Sequence, residues 1–178
     1  MHVSLDGYFE GLGNDISWFN SDDYHFEAFS LEQSKEVDTL LFGRKTYEMM
    51  KSFWPTAQAE AIAPEVAQFM NEKHKVVVSH TAFAPGWHNV TVISDDVAAA
   101  VRKLKEQPGK TIAIFGSNNL CVSLMQAGLI DEFRIVVNPL VLADGTSLFK
   151  GLPKRADLTL TETRQFESGK TLLIYKPA

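Results

Sequence analysis

Two short stretches carry the residue types of an anion site. Gly43-Arg44-Lys45-Thr46 follows the apolar run DTLLF and opens a helical segment; Gly116-Ser117-Asn118-Asn119-Leu120 follows IAIF and opens another. A strand that runs through a glycine into a helix leaves unpaired N–H groups and the positive end of the helix dipole at the strand's carboxyl end, a mouth suited to phosphate. In the first stretch Gly43 permits close backbone approach, Thr46 offers a hydroxyl, and Arg44 and Lys45 supply positive charge. Acids suit a helix N-terminus better than bases do, so these two cations either want an anionic partner or extend into water. In the second stretch Gly116, taken alone, also serves simply as the tight turn of an ordinary βαβ unit. A third apolar run, KVVVS, ends in Ser79, His80 and Thr81.

Other chemistry-bearing residues are more scattered. Asp6 stands at the end of HVSLD, where it is either a polar anchor or proton relay, or the turn residue before Gly7. Asp22 and Asp23 open a helix that reaches to about Val37, and either cap it or face a substrate. Gly11 and Gly13 give G-x-G, but Ile16 occupies the third position of the dinucleotide fingerprint and no strong strand precedes, so no Rossmann site is expected there. His2, His25, His74, His80 and His88 show no ligand-like pairing and no deaminase zinc motif occurs, so no metal is expected. The single cysteine, Cys121, lies on a helical face with Leu120, Leu124 and Met125, where packing suits it better than reactivity.

The elements that must position these groups read as alternating strands and helices. Val37 is followed by a buried strand from Asp38 to Phe42, a helix from the Gly43 turn to Trp54-Pro55, and a helix over residues 64–73 with Pro64 in its first turn. A strand covers residues 75–79 and another 90–93, and Ser94, Asp95 and Asp96 cap a helix from Val97 to about Gln107. Thr111 to Val141 then reads as strand, glycine turn, helix and strand, with Gly128 at the left-handed C-terminal cap. Residues 156–166 and 170–175 form an antiparallel hairpin. The glycine-rich GYFEGLGND reads as a loop, and the strand before it is short, either cut off at its start or at a sheet edge. The fold expected is α/β: a mostly parallel twisted sheet with helices on both faces and a C-terminal antiparallel hairpin, in one domain spanning residues 1–178.

Composition sets the outer bounds. With 178 residues, 45% of them hydrophobic, the chain can bury a sizeable core. A net charge of −5 argues against a broad nucleic-acid surface. No apolar run reaches membrane-spanning length and no signal segment opens the chain, so a cytoplasmic protein is expected.

Taken in order, SLDGY, ISWF, LLFGRKTYE, VVVS, IAIFGSNNL, GLIDEFRIVVNPLVLADGTSLF and the closing F-x-S-G-x-x-L-L-x-Y resemble the RibD C-terminal, dihydrofolate reductase-like reductases over nearly the whole chain. The resemblance implies that fold, NADPH as hydride donor, and commonly a homodimer. It implies that Gly43, Arg44, Lys45, Thr46, Ser79 and His80 hold the 2′-phosphoribose end of the cofactor, and that Gly116, Ser117, Asn118, Asn119 and Leu120 hold its pyrophosphate. A small pyrimidine- or pterin-like substrate would sit among Asp6, Trp18, Asp22, Trp54 and Pro55. Many relatives carry paired glycines where this chain has Gly116-Ser117.

Overall fold

The computed structural model describes residues 1–19 and 23–178. In chain order its strands and helices are β1 (His2–Val3), β2 (Tyr8–Glu10), α1 (Tyr24–Ser34), β3 (Val37–Gly43), α2 (Arg44–Phe53), α3 (Ala57–Ile62), α4 (Pro64–Glu72), β4 (His74–Val78), β5 (Val90–Ile93), α5 (Val97–Lys105), β6 (Thr111–Ile114), α6 (Asn118–Gln126), β7 (Phe133–Val137), β8 (Thr146–Ser147), β9 (Leu158–Gln165) and β10 (Thr171–Pro177). The chain divides into two compact units: Met1–Ala28 with Cys121–Ala178, and Phe29–Leu120.

The unit Phe29–Leu120 is built on a four-stranded sheet in the order β5-β4-β3-β6, and every pairing in it is parallel. Leu40, Leu41 and Phe42 of β3 and Val76 and Val77 of β4 are almost completely buried, as the unalternated apolar runs require of strands covered on both faces. Each such side chain contributes about 1.5–3 kcal/mol by leaving water. Parallel register fixes where the strands end: Gly43 pairs with Val78, Val78 with Ile93, and Leu41 with Ile114. All four carboxyl ends therefore share one edge, the edge from which α2, α5 and α6 start.

The other unit carries a four-stranded sheet, β1-β7-β10-β9, and the small pair β2-β8. β1 is parallel to β7, whereas β10 is antiparallel to both β7 and β9, which makes the C-terminal hairpin part of this sheet. Val3, Phe9 and Leu148 form a core here with Ile135, Val137 and Phe149 against them. Gly128 takes φ +65°, Leu129 N–H donates to the Leu124 carbonyl at 2.9 Å, and helix α6 ends in the glycine cap its sequence predicts.

Two expectations change, and one is decided. The segment read as a plain glycine-rich loop contains β2, held by antiparallel pairing with β8. A short helix, α3, lies where the sequence reading has none, started by the Thr56 hydroxyl, which accepts from Ala59 N–H at 3.2 Å. Of the two roles expected for Asp23 the structure shows the cap: it accepts from Phe26 N–H at 2.9 Å, and it also takes the N–H and hydroxyl of Ser168, so it tethers the β9–β10 turn to the helix start. No helix among the described residues is long and apolar enough to cross a membrane.

One buried charge organises the far end of the parallel sheet. Lys75 is 0% exposed. Its amine donates to the carbonyls of Met70 and Asn71 at 2.9 Å and of Lys73 at 2.6 Å, and lies 4.6 Å from the centre of the Trp87 ring. It thus satisfies the last carbonyls of α4, where a cation suits the helix dipole. Burial pushes the ammonium down to about 8. Between that value and 10.5 the unfolded chain holds a proton that the native chain has released, so stability rises with pH across the window and the gain is absent below it. Lys75→Met should cost on the order of 2 kcal/mol or more, by stranding buried carbonyls, and should flatten this rise; urea unfolding at pH 7 to 10.5 measures both.

Candidate functional site

The two glycine turns meet. A β-carbon at Gly43 would stand 3.0 Å from Ser117 Cβ and collide with Ser117 Oγ, and one at Gly116 would stand 3.1 Å from Thr46 Cγ2 and 3.2 Å from Thr46 Oγ1. Because β3 and β6 are adjacent and parallel, the β3–α2 and β6–α6 turns lie side by side at the carboxyl edge, each packed into the space the other's glycine leaves open. Gly43 has φ −74°, which any residue adopts, so its lack of a side chain serves room alone. Gly116 has φ +69° and Ser117 φ +66°, two consecutive left-handed residues before the helix begins. A left-handed residue followed by a right-handed one turns successive N–H groups to one side, a concavity that receives anions.

The α2 mouth also has the features that receive an anion. No side chain caps its N-terminus, and no acid stands in its first turn. Lys45 is exposed at the start of the helix. Arg44 neither runs free into water nor waits for an external anion alone: its Nε donates to Glu48 at 2.8 Å, its Nη1 to the Thr81 hydroxyl at 2.5 Å, and its guanidinium lies 4.9 Å from the centre of the Phe83 ring. Glu48 sits four residues on, a spacing legible in the sequence. Thr81 and Phe83 come from the segment after β4; Thr81 stands with Ser79 and His80 at the end of that apolar run, whereas nothing local marks Phe83.

Ser79 and His80 stand on the same carboxyl edge, after β4. Ser79 is buried and spends its hydroxyl proton on the Thr81 carbonyl at 2.7 Å, which shapes the turn. His80 is exposed, with Nδ1 3.2 Å from the Ser94 carbonyl. At the other mouth Asn119 is exposed and Asn118 buried, while Leu120 turns its side chain into the core and has only its backbone to offer a ligand.

The remaining candidates are distributed between the units. Asp6 is exposed, and its carboxylate accepts from Leu142 N–H at 3.2 Å and Ala143 N–H at 2.9 Å. The Ser4 hydroxyl, with these backbone donors, holds it below the usual carboxylate range. An ionised carboxylate so engaged braces a turn and is poorly suited to deliver a proton. Trp18, in the same unit, donates from Nε1 to the Asp15 carbonyl at 3.1 Å. Trp54 and Pro55 belong to the unit Phe29–Leu120, where they line a cleft of about 400 Å³ between α3 and α4 with Glu60, Gln68 and Asn71. Asp22 lies outside the described residues.

The family model of the RibD C-terminal domain matches residues 1–172. The chain belongs to that family. The uncharacterized protein YyaP of Bacillus subtilis (strain 168) is 32% identical over 174 residues, which cover 97% of this chain and 90% of YyaP. A crystal structure from Shewanella sp. PV-4, of a protein named for riboflavin biosynthesis, superposes with a TM-score of 0.77 at 22% identity, covering 100% of this chain and 96% of that one. A diaminohydroxyphosphoribosylaminopyrimidine deaminase/5-amino-6-(5-phosphoribosylamino)uracil reductase of Thermotoga maritima gives a TM-score of 0.68 at 14% identity; the match takes in 99% of this chain and 55% of the Thermotoga protein. These two structures share the fold.

Gly116→Ala meets both a left-handed backbone and the Thr46 side chain, and should cost about 1–2 kcal/mol of stability by chemical denaturation. Adding Thr46→Ala should recover the crowding but not the backbone penalty, so the double variant falls between the single variant and the wild type.

Proposed function

We propose that the chain is an NADPH-dependent reductase that transfers hydride to a small pyrimidine- or pterin-like substrate. The observation that carries this reading is the contact between the two turns: the Gly43 and Gly116 mouths form one continuous cradle instead of two separate anion sites. An extended dinucleotide with phosphates at two points is the ligand class such a cradle fits. The missing β-carbons let the two turns lie against each other, and the uncapped α2 N-terminus favours close approach of a phosphate to backbone N–H groups. Membership of the RibD C-terminal family, and the names of its structural neighbours, point the same way.

In this reading the N–H groups at Ser117, Asn118 and Asn119 receive the pyrophosphate, and Gly43, by leaving room for Ser117, sets that turn beside the α2 mouth. Arg44, Lys45, Thr46 and His80 surround the 2′-phosphoribose, while Ser79 holds the turn that presents its neighbours. When bound, the cofactor supplies the hydride; the protein's part is to orient it and exclude water. Arg44 favours a dinucleotide carrying the additional phosphate, because a guanidinium offers a planar set of donors to phosphate oxygens. The same resemblance carries a homodimer with it, which sedimentation measures directly.

NADPH should raise the melting temperature more than NADH does, and Arg44→Ala should remove most of that difference. Equal shifts with both cofactors would count against the phosphate assignment. Steady loss of nicotinamide absorbance with a pyrimidine or pterin acceptor is expected; tight NADPH binding without turnover on any acceptor would leave a non-catalytic nucleotide-binding module in its place.

A further inference from the structure

The guanidinium of Arg44 is held on three sides by the protein itself. Glu48 takes Nε, Thr81 takes Nη1, and the Phe83 ring lies beneath the cation. Among the described residues none hydrogen-bonds Nη2. The side chain is 38% exposed, so the fork presents an open edge to solvent while its other edges are occupied. A free arginine on a helix surface samples many rotamers and loses that freedom on binding; one already fixed loses little.

The Phe83 platform is itself anchored. Its ring lies 5.8 Å from Tyr47, edge to face, and Tyr47 lies 5.8 Å from Trp87. Tyr47 is fully buried and donates its hydroxyl to the Pro85 carbonyl at 2.8 Å, and Trp87 donates to Asn71 Oδ1 at 2.8 Å. The Lys75 amine stands over the Trp87 ring. A ladder of three aromatic rings, with a cation at each end, thus runs from the core of the sheet to Arg44 and ties the segment after β4 to the helix after β3.

We propose that Phe83 and Thr81 are positioning residues that preset Arg44 for a phosphate ester on the adenosine ribose, and that the preference for a 2′-phosphorylated dinucleotide depends on them as well as on Arg44. This rests on the dinucleotide reading above. Neither residue needs to touch the ligand: Phe83 supplies a surface that attracts the cation, and Thr81 an acceptor that fixes the rotation of the fork.

Calorimetric titration with 2′-phospho-ADP-ribose and with ADP-ribose tests it without any turnover. The wild type should bind the phosphorylated probe tighter by about tenfold or more, the worth of one charge-assisted hydrogen bond. Phe83→Leu and Thr81→Val should each cut that ratio by about threefold or more while ADP-ribose affinity moves by less than about twofold. Phe83→Tyr, which keeps the ring, and Thr81→Ser, which keeps the hydroxyl, should retain the wild-type ratio. Thr81 is exposed, so its variants fold even if Phe83→Leu loosens the ladder. A wild-type ratio in both Phe83→Leu and Thr81→Val overturns the inference, as does an equal loss in the conservative pair. A wild type that ignores the 2′-phosphate overturns the dinucleotide reading itself.

Discussion

The mutual approach of two backbone turns constrains the unit Phe29–Leu120 more than any single side chain does. Gly43 makes room for Ser117, and Gly116 makes room for Thr46. Neither concession is useful alone. Together they require that β3 and β6 be neighbours, run parallel and end level, because a shift of one residue along either strand would carry its turn about 3.3 Å away from the other. The parallel register from Leu40 paired with Ala113 to Leu41 paired with Ile114 meets that requirement. The buried apolar runs that hold the strands together therefore also set how the two turns meet.

Charge placement follows the same economy and departs from it in one place. Lys75 sits at the negative end of α4, where its ammonium replaces the water that the last carbonyls would otherwise need. Arg44 and Lys45 sit at the positive end of α2, each unfavourable by about 0.3–1 kcal/mol. Glu48 and the Phe83 ring offset this for Arg44, the first by about 0.3–0.5 kcal/mol for a solvent-exposed pair at that spacing. Offsetting the cost does not remove the charge. Arg44 is thus a cation restrained in a poor local field.

Much of this was legible from local pattern. The β3, β4, β5 and β6 runs, the helices after Gly43, Ile93 and Gly116, and the Gly128 cap each depend on neighbours within a few residues, and the chain states them directly. What escaped depends on residues brought from afar. Lys75 reads as the polar start of a strand, yet it is fully buried because α4 happens to end over it. Phe83 lies in a segment with no periodicity, and only the fold sets it under Arg44. Asp6 invites a catalytic reading until its carboxylate is seen on the N–H groups of Leu142 and Ala143, more than 130 residues on. The six residues of α3 are too few for a periodic signal, and β2 and β8 are strands because they pair with each other, not because either resembles one.

Ser117 shows why a departure from the family's pattern need not weaken the site. A second glycine would take φ +66° without strain, whereas a serine in the left-handed region costs about 1 kcal/mol. The serine brings a β-carbon and a hydroxyl that fill the space opposite Gly43, where a glycine would leave a gap between the turns. Backbone strain at one turn is thus exchanged for contact with the other. The exchange is favourable only because Gly43 has no side chain, so the two positions must be read as a pair: serine at one is tolerable while glycine remains at the other, and the cradle depends on both.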